Sequence, residues 1–208
     1  MKLMYAPQSP FARKVRAASI ELGLGREIEL VFTKVFPGHE NAAYAVDYNP
    51  LRKIPALAVD ESTVIYDSTV ICEYLDARAG GGRIIPGDGA ERWDVLTRHA
   101  LAQGMCESAI LIRYETWLRP EEVRWPMWID DQWDKIMAGL DWFEARPETL
   151  SGSVDLAHLG LGSLLGYIDF RFPDVDWRGR CPGLDRWFDA LSQRESFAGT
   201  EPERPPSA

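Results

Sequence analysis

Asn49-Pro50-Leu51-Arg52-Lys53-Ile54-Pro55-Ala56-Leu57 sets a proline directly ahead of a strand-like run, where an interior strand normally excludes it because the ladder needs an N–H. A cis Ile54–Pro55 peptide accounts for that position, and it would leave the backbone N–H and C=O of Ile54 at the sheet edge for an extended peptide ligand. An ordinary trans turn is the alternative. Downstream, Ala56-Leu57-Ala58-Val59 and Thr63-Val64-Ile65-Tyr66 flank the turn Asp60-Glu61-Ser62 as a hairpin, and Val70, Ile71, Tyr74 and Leu75 recur at helical spacing. Upstream, Lys2-Leu3-Met4-Tyr5 reads as a short strand. Phe11, Val15, Ala18 and Leu22 mark a helix that Gly23 stops, and residues 28–35 read as a second strand. The order is βαβ, a variable segment, then ββα.

That order predicts a small mixed sheet with a right-handed crossover and a terminal hairpin, the thioredoxin-like arrangement. The rest of the chain differs. All eight tryptophans lie at or after Trp93, so the composition changes at Gly80-Gly81-Gly82-Arg83-Ile84-Ile85-Pro86-Gly87-Asp88-Gly89. We place a first domain at 1–79, a linker at 80–89 and a second domain at 90–208. Trp93, Leu96, Ala100, Met105, Ala109 and Ile112 mark one amphipathic helix, and Ile129, Trp133, Ile136, Leu140 and Phe143 another. A third helix, from about 154 to 170, is apolar nearly all round and belongs inside the bundle; Leu184, Trp187, Phe188 and Leu191 mark a fourth. The fold class is therefore an α/β thioredoxin-like N-terminal domain followed by an all-α helical-bundle domain. The tail from about residue 201 carries three prolines and no large apolar residue and is expected to be loose.

Hydrophobic residues make up 46% of the 208-residue chain and charged residues 26%, the balance of an ordinary globular protein. Up to residue 80 there are nine basic and ten acidic side chains, and beyond it fourteen and twenty-two, for a net charge of −9. Such a balance opposes a phosphate backbone, so no nucleic-acid partner is expected. Residues 1–6 run into Pro7 without an apolar h-region, and the longest apolar stretch, 156–168, contains His158 and three glycines and is only 13 residues long. Neither a secretory leader nor a bilayer span is expected, which points to the cytoplasm. Cys72, Cys106 and Cys181 are widely separated and form no CxxC pair, so the expectation is three buried or half-buried thiols and no metal site.

Ser9-Pro10 stands where the first strand gives way to the first helix. Serine is a favoured N-cap and proline fits N1, so the pair needs no function. The same geometry also aims a hydroxyl and free N–H groups, at the positive end of a helix dipole, into the space above the sheet, where an anion or thiolate could sit. Asp67-Ser68 repeats this ambiguity at the third helix: a cap by default, or a holder of a carboxylate and an ammonium group.

Taken together, Ser9-Pro10-Phe11-Ala12-Arg13-Lys14-Val15-Arg16, the 49–57 segment and Asp67-Ser68-Thr69-Val70-Ile71 resemble the glutathione S-transferases in order and spacing. In the second half, Asp155 resembles the family's buried helix-start aspartate, while Gly166-Tyr167-Ile168-Asp169-Phe170-Arg171 and Arg194-Glu195-Ser196-Phe197 resemble the bacterial YibF-like branch. The resemblance implies a transferase that binds reduced glutathione as co-substrate and delivers its thiolate to a small electrophile in detoxification. Ser9 would donate to the sulfur and lower its pKa. Phe11, Ile54 and Pro55 would complete the site, with Ile54 pairing to the cysteinyl unit and Lys53 facing the glycyl carboxylate. Asp67 and Ser68 would hold the γ-glutamyl ammonium and carboxylate. Arg113, Tyr114 and Trp117 would line a second-substrate pocket between the domains, although packing is an equally simple use for them. His39 could reach the glycyl carboxylate or lie in solvent. A homodimer is expected.

The departures from the family are specific. Thiol-exchange classes need a cysteine near the first helix, and none lies near Ser9; the zeta-type Ser-Ser-Cys-Ser is replaced by Ala6-Pro7-Gln8-Ser9; and Gly152 stands where a Ser or Thr usually precedes the helix-start aspartate. A non-catalytic scaffold of the same fold is the alternative function, and a reductase using Cys72 or Cys106 is a third reading.

Overall fold

The computed structural model describes residues 1–203. Of the tail expected to be loose, residues 201–203 form neither helix nor strand, and 204–208 lie outside the described residues. Strands β1 (Lys2–Tyr5), β2 (Glu29–Phe32), β3 (Ala56–Ala58) and β4 (Val64–Ile65) form one sheet in the order β2-β1-β3-β4. β1 pairs parallel to β2 and antiparallel to β3, and β3 pairs antiparallel to β4. Helix α1 (Pro10–Glu21) connects β1 to β2, the short α2 (Ala42–Asp47) occupies the variable segment, and α3 (Ser68–Arg78) follows β4. The second strand is shorter than the expected 28–35. After the Thr33 N–H bonds the Tyr5 carbonyl at 2.7 Å, β1 has ended and offers no further ladder partner.

The remaining helices are α4 (Gly89–Trp117), α5 (Pro126–Glu144), α6 (Leu156–Arg171), α7 (Trp177–Arg180), α8 (Pro182–Ser192) and α9 (Glu195–Ala198). Among the described residues, 3₁₀ turns stand at Gly25–Glu27 between α1 and β2, at Glu121–Val123 between α4 and α5, and at Pro147–Leu150 between α5 and α6. The sequence pattern marks the four long helices; α7, α9 and the 3₁₀ turns are too short to show a period. Every residue from 156 to 168 is buried, which matches the all-round apolar character of α6 and places it at the centre of the bundle. Asp155 opens that helix in a capping box: its Oδ1 accepts from the His158 N–H at 2.9 Å, and Oδ2 accepts from Arg98 Nη2 at 2.9 Å. Burial works against the Asp155 charge, but the His158 and Arg98 contacts outweigh it and hold the carboxyl below its usual range. A cap is thus present without the serine or threonine that Gly152 replaces.

One continuous apolar core runs from Leu3 and Val15 through Ile112 and Leu164 to Phe197, so the sheet-bearing half and the helical half bury surface against each other. α1 lies so close to α6 that a Cβ at Gly166 would overlap Arg13 Nη1. The glycine-rich segment between α3 and α4 is pinned as well. The Asp76 carboxylate accepts from the N–H groups of Gly82, Arg83 and Ile84 at 2.9–3.0 Å, and Ile84 and Ile85 insert into the core. All three cysteines are buried and free.

Candidate functional site

Sheet register alone brings the separated motifs together. Met4 lies opposite Ala56, so the chain leaving β1 toward Ser9 runs beside the chain entering β3 from Ile54 and Pro55. Leu57 lies opposite Ile65, so Tyr66 and Asp67 emerge from β4 at that same end. Tyr5 lies opposite Phe32 in the parallel pair, so the loop carrying Phe36 and His39 departs there too. Ser9, Ile54, Asp67 and the 34–40 loop therefore share one end of the sheet.

Ser9 is the N-cap of α1. Its Oγ accepts from the Ala12 N–H at 3.3 Å, and no other hydrogen bond engages the hydroxyl among the described residues. The cap uses an oxygen lone pair and leaves the hydroxyl proton free, so capping and donation to a bound anion are compatible. No acidic residue in the first turn offsets the helix dipole. Beside it, Gln8 buries its Oε1 without a partner among the described residues.

The Ile54–Pro55 peptide is cis. The loop ahead of it is built around Asn49, a buried residue to which site reasoning from sequence gave no role. Asn49 Oδ1 accepts from the Leu51 N–H at 2.9 Å and its Nδ2 donates to the Lys53 carbonyl at 3.0 Å, while the Tyr44 hydroxyl donates to that carbonyl at 2.7 Å. Arg52 takes a left-handed conformation (φ 54°) within this turn. The outcome is that the Ile54 N–H and C=O have no partner among the described residues, at the edge where an extended ligand could pair. Lys53 is exposed and has no ion-pair partner among the described residues.

Asp67 caps α3: its Oδ1 accepts from the Thr69 N–H at 2.9 Å and the Val70 N–H at 3.4 Å. Oδ2 of this exposed carboxylate remains available to a cation, and Ser68 is buried at the helix head. Phe11 packs, half-buried, against the main core.

The three residues named for a second pocket do not stay together. Tyr114 lines a cavity of about 610 Å³ with Pro37, Leu111, Glu115, Trp125 and Trp128 among its other walls. Arg113 and Trp117 stand outside that lining. The Arg113 guanidinium lies 4.8 Å from the Trp117 ring centroid, and Trp117 meets Phe36 edge-on at 5.4 Å, so they pack α4 against the 34–40 loop. His39 stacks on Phe36 at 4.9 Å. The cavity walls from α5 were missed because no local pattern says which face of a helix start looks across a cleft; the clustered Trp125 and Trp128 are the signal that was there to use. Burial pushes the thiols of Cys72 and Cys106 up to about 12, so neither is poised as a nucleophile. Among the described residues no cluster of His, Cys, Asp and Glu could hold a metal ion, and no helix is long and apolar enough to cross a membrane.

Residues 8–78 match the glutathione S-transferase N-terminal domain family and residues 126–190 the glutathione S-transferase C-terminal domain family. The chain belongs to the glutathione S-transferase family. Among its relatives, the uncharacterized GST-like protein YibF of Escherichia coli K12 is 31% identical over 207 residues, covering 98% of this chain and all of that one. A glutathione transferase family member from Pseudomonas fluorescens Pf-5, solved with bound glutathione, is 42% identical and superposes with a TM-score of 0.93 over 99% of both chains. A structure from the same organism with bound S-(propanoic acid)-glutathione gives 40% identity and a TM-score of 0.90, over 98% of this chain and all of the other. The expected family and the expected two-part fold of this transferase-family chain are thereby established.

Proposed function

We propose that this chain binds reduced glutathione across the shared end of the sheet and activates its thiol for attack on a small electrophile. The observation that carries the reading is the convergence of a free serine proton, an unpaired backbone N–H and C=O, and a half-used carboxylate at one sheet end. In this reading the cysteinyl unit of the tripeptide pairs with Ile54 beside Pro55, which sets the thiol over the start of α1. Ser9 donates its hydroxyl proton to the sulfur, and with the helix dipole it favours thiolate over thiol, so the thiol proton passes to solvent. The thiolate lone pair then forms a carbon–sulfur bond, either as the electrophile's leaving group departs with its bonding pair, or by adding to the β-carbon of a double bond whose π pair shifts to an enolate that solvent protonates. Asp67 takes the γ-glutamyl ammonium, Ser68 and the α3 N–H groups its carboxylate, and Lys53 the glycyl carboxylate. The thioether bound by the Pseudomonas relative supports a site that accommodates a substituted sulfur. The cavity beside Tyr114 is the place we assign to the electrophile. A sheet-bearing domain at 1–79, a linker at 80–89, a helical domain from 90, a homodimeric assembly and a cytoplasmic setting belong to the same reading.

Calorimetric titration with reduced glutathione, in buffers of different ionisation heat, tests it. Binding accompanied by proton release near neutral pH, followed by faster conjugation of an aryl halide or an α,β-unsaturated carbonyl, is the expected result. No binding would sink the reading; binding without acceleration of any electrophile would leave a scaffold of the same fold.

A further inference from the structure

Lys14 is the one lysine of the described residues whose ammonium is enclosed by protein, with only 1% of the residue exposed. It projects from α1 into the junction of three helices. Its Nζ donates to Gln103 Oε1 at 2.9 Å and to His99 Nε2 at 2.9 Å, both on α4, and lies 3.5 Å from Thr69 Oγ1 in the first turn of α3. Each of these partners is neutral. Burial and the nearby Lys14 charge push His99 down to about 3, so its ring supplies a lone pair and no charge. The other titratable groups around the ammonium are the buried thiols of Cys72 and Cys106, which burial keeps protonated, and the more distant carboxylates of Asp67 and Glu107. Burial itself pushes Lys14 below its ordinary value.

A buried cation with no carboxylate in contact is an unusual arrangement, because an ion removed from water is normally paired. Its location gives it a use. The ammonium stands against Thr69, one residue beyond Ser68, at the helix head where the ligand's α-carboxylate is assigned. We propose that Lys14 is a positioning residue for the co-substrate: its charge, held behind the first turn of α3, recognises the γ-glutamyl α-carboxylate through the low-dielectric interior, so that the ligand supplies the counter-charge the protein withholds. The inference rests on the glutathione reading above. It also explains why α4, in the other half of the molecule, contributes His99 and Gln103 to a point directly behind the ligand site: these neutral acceptors hold the ammonium in place without neutralising it.

The test compares two ligands. Reduced glutathione is titrated beside 4-aminobutyryl-cysteinyl-glycine, which keeps the amine, the thiol and the glycyl carboxylate but lacks the α-carboxylate. Lys14→Gln is expected to weaken glutathione on the order of tenfold and to move the analogue less than about twofold. Gln103→Glu leaves Lys14 intact and gives its ammonium an internal carboxylate. It is expected to raise the unfolding midpoint while producing the same selective loss, and it decides the matter if Lys14→Gln does not fold. Equal weakening of both ligands, or undiminished glutathione affinity in Gln103→Glu, would overturn the role. If the unsubstituted protein binds neither ligand, the glutathione reading fails; if it binds both and the variants do not discriminate, the role of Lys14 alone fails.

Discussion

Replacing Ser9 by alanine separates two uses of one hydroxyl. As a cap, the Oγ accepts from the Ala12 N–H at 3.3 Å, beyond the usual N–H···O range, so its loss should lower folding stability by at most about 1 kcal/mol. As a donor to a thiolate it makes a bond to a charged acceptor, worth roughly 1.5–3 kcal/mol. Since one pKa unit corresponds to about 1.4 kcal/mol, the bound thiol should rise by about one to two units in Ser9→Ala. The conjugation rate at neutral pH should then fall about 10- to 100-fold, and the deficit should shrink as pH rises past the pKa of the unassisted thiol. The assay is the pH profile of kcat/KM from about pH 5.5 to 10, read beside the ultraviolet absorbance of the bound thiolate. Ser9→Thr, which keeps the hydroxyl, should restore most of the rate. If Ser9→Ala lowers the melting temperature slightly but its pH profile superimposes on that of the parent, the hydroxyl is a helix cap and the activation argument is wrong.

Three further outcomes follow from geometry already given. Asp67→Asn keeps an N-cap but removes the charge, so folding should be unchanged while glutathione affinity falls about 10- to 100-fold by titration. Asp155→Asn leaves the Arg98 side chain, 8% exposed, without its best-buried counter-charge, and should cost about 2–3 kcal/mol in urea unfolding. Because the Asp155 carboxyl is held below its usual range, its contribution is complete above the unfolded carboxylate pKa and is lost as pH falls through the folded one; the parent's stability should therefore fall below about pH 4 more steeply than the variant's. Gly166→Ala places a methyl where Arg13 Nη1 now lies and should destabilise by about 1–3 kcal/mol, with α1 displaced from α6 in a crystal structure.

Much of this was legible in the residues because the deciding features are local. Pro55 ahead of a strand, Ser9-Pro10 ahead of a helix and Gly23 behind it each constrain the backbone within a few positions, and the sheet then carries these points to one end. Asn49 and Tyr44 were not legible as site-builders: their role lies in pairing side chains with one carbonyl, and an Asn before a proline reads only as a turn. Lys14 was hidden for the opposite reason. A lysine on a helix that also carries Arg13 and Arg16 looks like part of a solvated face, and only the docking of α4 encloses it. The cavity shows the same limit. Tyr114 faces it while Trp117 turns to Phe36 with Arg113 over its ring, a choice made by where a distant loop lies against α4.

The segment between α3 and α4 would strike an engineer as a ready place to cut. Gly80, Gly81 and Gly82 all take positive φ, a backbone conformation that glycine adopts at little cost. Yet Asp76 gathers three consecutive amides from 82 to 84 onto one carboxylate, and the Ile84 carbonyl accepts from the Leu156 N–H at 2.9 Å, at the start of the central helix. Bending here would break a buttress that reaches the middle of the bundle. A chimaera that grafts a new helical half should therefore take its splice beyond Ile85, carrying Asp76 and both isoleucines with the sheet, and a protease offered the three glycines should find them guarded until the whole chain opens.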